Sequence, residues 1–364
     1  MKVRVEELTE GCIIAEDIMG RTSQPLILKR TVLAPLHIEV LKAFQISYVA
    51  VFTKKADGST FTAEAVKESP VQENQDLTES ISPHSFEQAY KDAVICYKNE
   101  FNAWQSGMKV NIVALKHAVL PVIKLAMEDR RYIYRLHQIS EPNHYMAHHS
   151  VAVGIISSML AKKIGYDQGI CIQIGLAGVL ADAGMAKMPR SLLEKSTALT
   201  AEEAIEIRKH PVYSYQYIMD TPFLKKEMKK AIYQHHERLD GSGYPKGEKG
   251  NIITLYAQII ALADVYHAMT SERLYRSKQS PFKTMDVILE DDFGKFDIVA
   301  VKALQELIGN LATGTRVELS DGRQAKVIYT QSDYLNRPIV KTLSADEIID
   351  LTRQRNLYIE KIIE

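Results

Sequence analysis

Imidazole and carboxylate side chains recur in five short segments of the 364-residue chain: His148-His149-Ser150, Ala181-Asp182-Ala183-Gly184, His210-Pro211, His235-His236-Glu237 and Ala263-Asp264. Donors of this kind are ligands for divalent iron, manganese or zinc, and such cations lower the pKa of bound water toward neutrality. Segments so far apart act together only if a fold brings helix ends into one pocket. Taken singly, a histidine reads more readily as structural, and His37, His84, His117, His137, His144 and His267 stay in that class. The adjacent pair His235-His236 stands out because of the text that follows it.

That text is Asp240-Gly241-Ser242-Gly243-Tyr244-Pro245-Lys246-Gly247. Glycines at this density mark a loop with unusual backbone angles or close ligand approach, with a plain tight turn as the alternative. Tyr244 can stack on a base, hydrogen-bond through its hydroxyl, or pack against helices. Arg273 and Arg276, about one helical turn apart, suit bidentate phosphate binding, an exposed charged face being the simpler reading. Arg208 and Lys209, beside His210, are assigned to a solvated helix face.

The run from His235 to Pro245 resembles the HD-GYP family of cyclic di-GMP phosphodiesterases. The landmarks around it keep that family's order: His149-Ser150, positions 181 and 182, His210-Pro211, Asp264, then Thr270-Ser271-Glu272-Arg273-Leu274-Tyr275-Arg276. The resemblance implies a helical, metal-dependent HD-type phosphohydrolase domain with one or two divalent ions (Fe, Mn or Zn) as cofactor. Asp182 would be the catalytic carboxylate that bridges two metals. His210, His235 and His236 would complete one site, while His149 and Asp264 would serve the other. Gly243, Tyr244 and Pro245, with Arg273 and Arg276, would line the ligand pocket.

Three positions depart from the family pattern in ways that bear on chemistry. Ala181 stands where the family has its namesake histidine, and Met185 stands where it has a lysine associated with the phosphate. Lys187 lies two positions on, where a helix or turn points it elsewhere. Tyr145 occupies the place of a glutamate found in members with a third metal, so no third metal is expected. The implied function is hydrolysis of a cyclic dinucleotide at a His/Asp metal centre. The alternative is a catalytically degenerate member acting as a cyclic di-GMP sensor or a protein-interaction scaffold. His148, one residue from His149, points about 100° away on a helix and is a poor substitute for the missing ligand.

The elements that must hold these residues are mainly helical. From about Ser85 to Leu311 apolar residues recur at helical spacing, as in Ala89, Ala93, Val94 and Tyr97, and Thr200-Ala201-Glu202-Glu203 fits a capping box. The reading is therefore a mainly α fold: a helical HD-GYP domain over 83–312, preceded by a small α+β unit (1–54) and a polar linker (55–82). A small β-rich appendage (313–364) follows, with Thr315–Leu319 and Gln324–Tyr329 flanking an Asp-Gly turn and Pro338–Thr342 as a third strand. The two flanking pieces also resemble appendages that accompany this domain.

Lys plus Arg equal Asp plus Glu at 45 each, which argues against a DNA partner or a membrane-surface protein. Three widely spaced cysteines fit a reducing compartment. No uninterrupted apolar run reaches the roughly 18 residues of a membrane span, so a soluble cytoplasmic protein is expected. The partners left open are cyclic di-GMP or a related cyclic dinucleotide, a signalling protein and a second copy of the chain.

Overall fold

The computed structural model describes residues 2–19, 25–43, 46, 48–61, 83–139, 144–193, 195, 197–272, 278–290 and 293–363. The chain divides into two compact units, Met1–Glu79 and Ser80–Glu364.

In the first unit, β1 (Lys2–Arg4) pairs antiparallel with the later β4 (Tyr48–Ala50), and β2 (Ile18–Met19) pairs with β3 (Pro25–Ile27). Helix α1 (Pro35–Ala43) lies between β3 and β4 in the chain. Val3, Ile14, Leu33, Leu41 and Val51 form its core. Phe61 is buried in the same core, and Lys54 bridges to Thr60 across a turn in which Asp57 caps Ser59. Polar composition suggested a linker from residue 55, but one buried aromatic anchor folds the stretch back through Phe61. The remainder, 62–82, lies outside the described residues.

The second unit opens with α2 (Pro83–Gln105), α3 (Ile112–Glu128), α4 (Tyr132–Leu136), α5 (Tyr145–Ile164) and α6 (Gln168–Leu180). A 3-10 turn, Ala183–Lys187, leads to α7 (Arg190–Leu193), α8 (Ala201–Ile207), α9 (His210–Ile218), α10 (Lys226–Gln234) and α11 (Leu255–Thr270). Helices α12 (Pro281–Glu290) and α13 (Ile298–Gly309) complete the bundle. Local signals set several starts: Asn111, Asp167, Thr254 and Asp297 each cap a helix through a side-chain oxygen. At α8 the capping box is complete, with Thr200 accepting from the Glu203 amide and Glu203 accepting from the Thr200 amide.

Helices α5 and α6 form the centre of the bundle. Helix α5 is buried from Ala147 to Ala161 and stops at Gly165, whose φ of 104° only glycine adopts readily. The two helices then run antiparallel in backbone contact. A Cβ on Gly154 would lie 2.3 Å from Val179 Cγ2 and 2.7 Å from the Gly175 carbonyl, and one on Gly178 would lie 3.0 Å from Gly154 Cα. This approach places the first turn of α5 beside the residues just past α6, which is where His149 and Asp182 stand. The stretch Gln168–Lys187 is apolar and long enough to cross a membrane by length and composition, although polar residues interrupt its apolar run; 72% of its window is buried inside the unit. Its hydropathy reflects a core position.

The C-terminal strands β5 (Arg316–Leu319), β6 (Gln324–Tyr329), β7 (Ile339–Thr342), β8 (Ile348–Asp350) and β9 (Ile359–Ile363) form an antiparallel sheet in the order β8-β7-β6-β5-β9. The Asp321-Gly322 turn and the third strand appear where the sequence pattern predicts them, and two further short strands extend the sheet on both sides. The sheet shares its core with the helices. Buried Arg337 forms a two-pronged ion pair with Asp286 of α12 at 2.9 and 2.7 Å and donates to the Leu351 carbonyl at 2.8 Å.

Because α5 and α6 touch through backbone, Gly154→Val should force them apart and cost about 1–3 kcal/mol or more. A urea unfolding midpoint equal to that of the unaltered protein would show that the contact tolerates a side chain.

Candidate metal centre

Five helix-associated segments deliver the site. His149 comes from the first turns of α5, Asp182 from the residue before the 3-10 turn, and His210 from the start of α9. His235 and His236 follow α10, and Asp264 lies within α11. A serine latch fixes two of these segments together: Ser214 of α9 donates to the Ala181 carbonyl at 2.6 Å and accepts from the Gly184 amide at 2.8 Å. Gly184 permits this closeness, since a Cβ there would sit 2.2 Å from the His210 carbonyl.

The carboxylate of Asp182 is the meeting point. Its Oδ1 lies 3.1 Å from His210 Nε2 and 3.4 Å from His235 Nε2, while its Oδ2 lies 3.5 Å from His149 Nε2. Asp264 continues the second side, with Oδ1 2.9 Å from His149 Nε2 and Oδ2 3.8 Å from His236 Nδ1. Two donor groups result, Asp182-His210-His235-His236 and His149-Asp182-Asp264, and within each the ligand atoms all lie within 4.8 Å of one another. These are the metal-site residues expected from the sequence, and the fold brings all six together.

The donor set fits a cation on physical grounds. His210 Nδ1 and His235 Nδ1 each lie within 2.8 Å of a backbone carbonyl, of Ile207 and Ile232 respectively, and a carbonyl can only accept. In the neutral rings both hydrogens are therefore on Nδ1, leaving two Nε2 lone pairs 3.3 Å apart and facing a carboxylate oxygen. Such an arrangement is repulsive unless a proton or a metal ion lies between the donors. The electrostatics carry the same signature. Burial works against the Asp182 carboxylate, yet the imidazoles of His149, His210 and His235 hold its pKa well below the usual range. Burial alone would depress His149, but Asp182 and Asp264 push it up to about 9. His236 is driven well below its ordinary value by burial and by neighbouring His235 and His210.

Outside these ligands, several side chains fix their orientation. His149 Nδ1 faces His267 Nδ1 at 3.0 Å and the Tyr145 hydroxyl at 3.1 Å, and His267 Nε2 meets Ser271 Oγ at 3.0 Å. Sequence reasoning left His267 among structural histidines. The available signal was its spacing of three from Asp264, which puts both on one face of α11. Tyr145, at the place of the family's third-metal glutamate, thus braces His149. His148 turns away to the Tyr90 hydroxyl at 3.1 Å. Ala181 is buried beside a narrow gap bounded by His149, Ser150, Asp182, His235 and Asp264. Lys187 points to Gln216 Oε1 at 3.0 Å, on the flank of α9.

The glycine-rich loop is clasped by Glu237. That buried carboxylate accepts from the Lys246 amide at 2.8 Å and the Glu248 amide at 3.0 Å. Gly243 must be glycine, because a Cβ would stand 2.4 Å from the His236 carbonyl. Pro245 follows a cis peptide bond. The loop lays Tyr244 on the His236 ring, with centroids 4.6 Å apart and planes 24° from parallel. Arg208, read from sequence as a solvated charge, is exposed but lies over the Tyr244 ring at 5.5 Å. Its position two residues before His210 carries it to the site mouth. Arg273 and Arg276 lie outside the described residues.

A helical bundle that converges histidines on a bridging aspartate is of the HD-domain class, and residues 132–298 match the HD domain family. Cyclic di-GMP phosphodiesterase PA4108 of Pseudomonas aeruginosa is 30% identical over 255 residues, covering 67% of this chain and 58% of that protein. Cyclic di-GMP phosphodiesterase PdeB of Borreliella burgdorferi is 27% identical over 225 residues, covering 62% and 59%. The 3'3'-cGAMP-specific phosphodiesterase 1 of Vibrio cholerae is 30% identical over 190 residues, covering 50% and 44%. Among solved structures, Bd1817, a HDG"Y"P protein from Bdellovibrio bacteriovorus, matches with a TM-score of 0.49 at 16% identity, covering 84% of this chain and 97% of that chain. The chain therefore contains an HD domain and, with its complete Gly-Tyr-Pro loop, is similar to proteins of the HD-GYP family. It spans 58% and 59% of the length of the first two relatives.

His267 orients His149 without reaching the donor cluster. His267→Phe should therefore weaken Mn²⁺ binding about 10- to 100-fold, the usual effect of losing such a partner. Unchanged affinity in isothermal titration calorimetry would mean that the ring only fills space.

Proposed function

We propose that this chain is a metal-dependent phosphodiesterase that opens a cyclic dinucleotide, cyclic di-GMP or a near relative, to the linear form or on to GMP. The observation that carries the reading is the split carboxylate of Asp182, with one oxygen toward His210 and His235 and the other toward His149. Divalent iron, manganese or zinc held by the two groups would stabilise the attacking and leaving oxygens of an in-line displacement at phosphorus. His210, His235 and His236 would hold one ion with Asp182, and His149 and Asp264 the other.

The chain's own residues account for the remaining requirements. The Nδ1 hydrogens of His210 and His235, committed to backbone carbonyls, keep both Nε2 lone pairs directed inward. Arg208, spread over Tyr244 at the mouth, offers a guanidinium suited to a bidentate grip on a phosphate. The loop Gly243-Tyr244-Pro245 bounds the same mouth, and Arg273 and Arg276 are further candidates for the phosphate. Water adds to phosphorus, one ester P–O bond breaks, and the proton passes to the departing ribose oxygen. The relatives that are named for cyclic di-GMP and 3'3'-cGAMP support this substrate class.

Ala181 and Met185 favour a second reading, in which the chain binds the nucleotide as a sensor or scaffold. One donor of the His149 side is replaced by a methyl group, and Lys187 is committed to the flank of α9. Turnover of cyclic di-GMP by Mn²⁺-reconstituted protein separates the two. Under the phosphodiesterase reading, turnover falls at least about 100-fold in Asp182→Ala. No turnover above that control, with cyclic di-GMP still bound, would leave the sensor. A double change, Ala181→His with Met185→Lys, should raise kcat about 10-fold or more. An unchanged kcat would mean that these two positions do not limit the chemistry.

A further inference from the structure

A second concavity lies along α9 from the metal centre. It has a volume of about 560 Å³, in the range of small-molecule sites. Its floor is buried Trp104 of α2 with Ala186 and Met188, its wall is formed by Tyr213 and Tyr217 of α9, and Lys187 stands at the rim. Tyr213 and Tyr217 follow His210 by three and seven residues, so they lie on its helix face, about 4.5 and 10.5 Å farther along the axis. The chain leaving Asp182 runs alongside: Gly184 presses on the first turn of α9, and Lys187 reaches the tyrosines. Metal centre and concavity thus lie along the same helix, α9, with the 183–187 turn packed between them.

The chemistry of that second end is specific. Lys187 Nζ lies 4.8 Å from the Tyr213 ring centroid and 5.2 Å from that of Tyr217, and it donates to Gln216 Oε1. The Trp104 and Tyr217 rings are 6.3 Å apart, and Trp104 Nε1 has no hydrogen-bond partner among the described residues. Aromatic faces beside a cation suit a flat, electron-rich ring. Guanine adds O6 and N7, two adjacent acceptors that a lysine ammonium recognises.

We propose that this concavity is a guanine-binding pocket for the nucleotide whose phosphate lies at Asp182. The inference rests on the phosphodiesterase reading for the identity of that nucleotide. The base stacks on Tyr217 and Tyr213, while Lys187 turns from Gln216 to the O6/N7 edge. In this chain the lysine near position 185 thereby serves base recognition.

The chain contains a single tryptophan, Trp104, so its emission arises from the floor of this pocket. Titration of the Mn²⁺-loaded protein with cyclic di-GMP should change Trp104 emission saturably, and cyclic di-UMP should do so about 10-fold less tightly or worse. Tyr217→Ala and, at an exposed position, Lys187→Gln should each raise the Kd for cyclic di-GMP about 10-fold, with turnover of bis(p-nitrophenyl) phosphate within about twofold of the unaltered protein. Turnover of cyclic di-GMP with no emission change, or with both variants binding it normally, overturns the pocket and leaves the phosphodiesterase reading intact. Saturable, variant-sensitive emission without turnover supports the pocket and removes the phosphodiesterase reading.

Discussion

Everything at this site depends on a single electrostatic constraint: ring nitrogens of four histidines and the oxygens of two carboxylates are held facing one another in a buried space. Two imidazole Nε2 atoms 3.3 Å apart, next to an aspartate oxygen, do not stay together for their own sake. Each donor has been turned inward by a commitment on its far side, His210 and His235 to carbonyls and His149 to Tyr145 and His267. The fold bears the strain because the ligands sit at the ends of packed helices. The glycine-mediated contact of α5 with α6, and the Ser214 latch between α9 and the turn after Asp182, leave those ends little room to separate. The placing of the donor atoms and the integrity of the bundle therefore rest on the same contacts.

The two halves of the centre are not equivalent. One side gathers three histidines around Asp182, whereas the other has His149, Asp264 and the remaining Asp182 oxygen. Ala181 accepts from Ser214 through its backbone carbonyl and thus has a positioning role without a donor side chain. Met185 likewise takes part through its amide, which donates to the Asp182 carbonyl at 2.9 Å and shapes the 3-10 turn. At both positions the backbone therefore has a contact to make, whatever side chain is present.

Much of this was legible in the sequence, for reasons that can be named. Thr200 and Glu203 declare a helix start because both halves of a capping box are local, and Asp321-Gly322 marks a hairpin because the turn needs a positive φ that Gly322 supplies. The ligand residues announced themselves through an unusual run, His235 to Pro245. What stayed hidden depends on tertiary neighbours. His267 braces His149 across 118 positions of chain, and Arg208 meets Tyr244 only after the loop has closed. Strands β8 and β9 are short and flanked by polar residues, so they become strands only when β7 and β5 offer an edge. Phe61 looked like an isolated aromatic in a polar tract until its burial turned the tract's first residues into part of a fold.

The clasp around Glu237 alters how the family's signature should be understood. Of the acidic and glycine residues in that signature, Glu237 spends both oxygens on the Lys246 and Glu248 amides, and Gly243 exists to let backbone touch backbone. These letters encode a fastener that closes a loop over the histidines, and they would be needed equally in a protein that only grips its ligand. Searching genomes for the Gly-Tyr-Pro text therefore retrieves molecules that share a closure. The loop text by itself is thus silent on whether a bound ligand is cut.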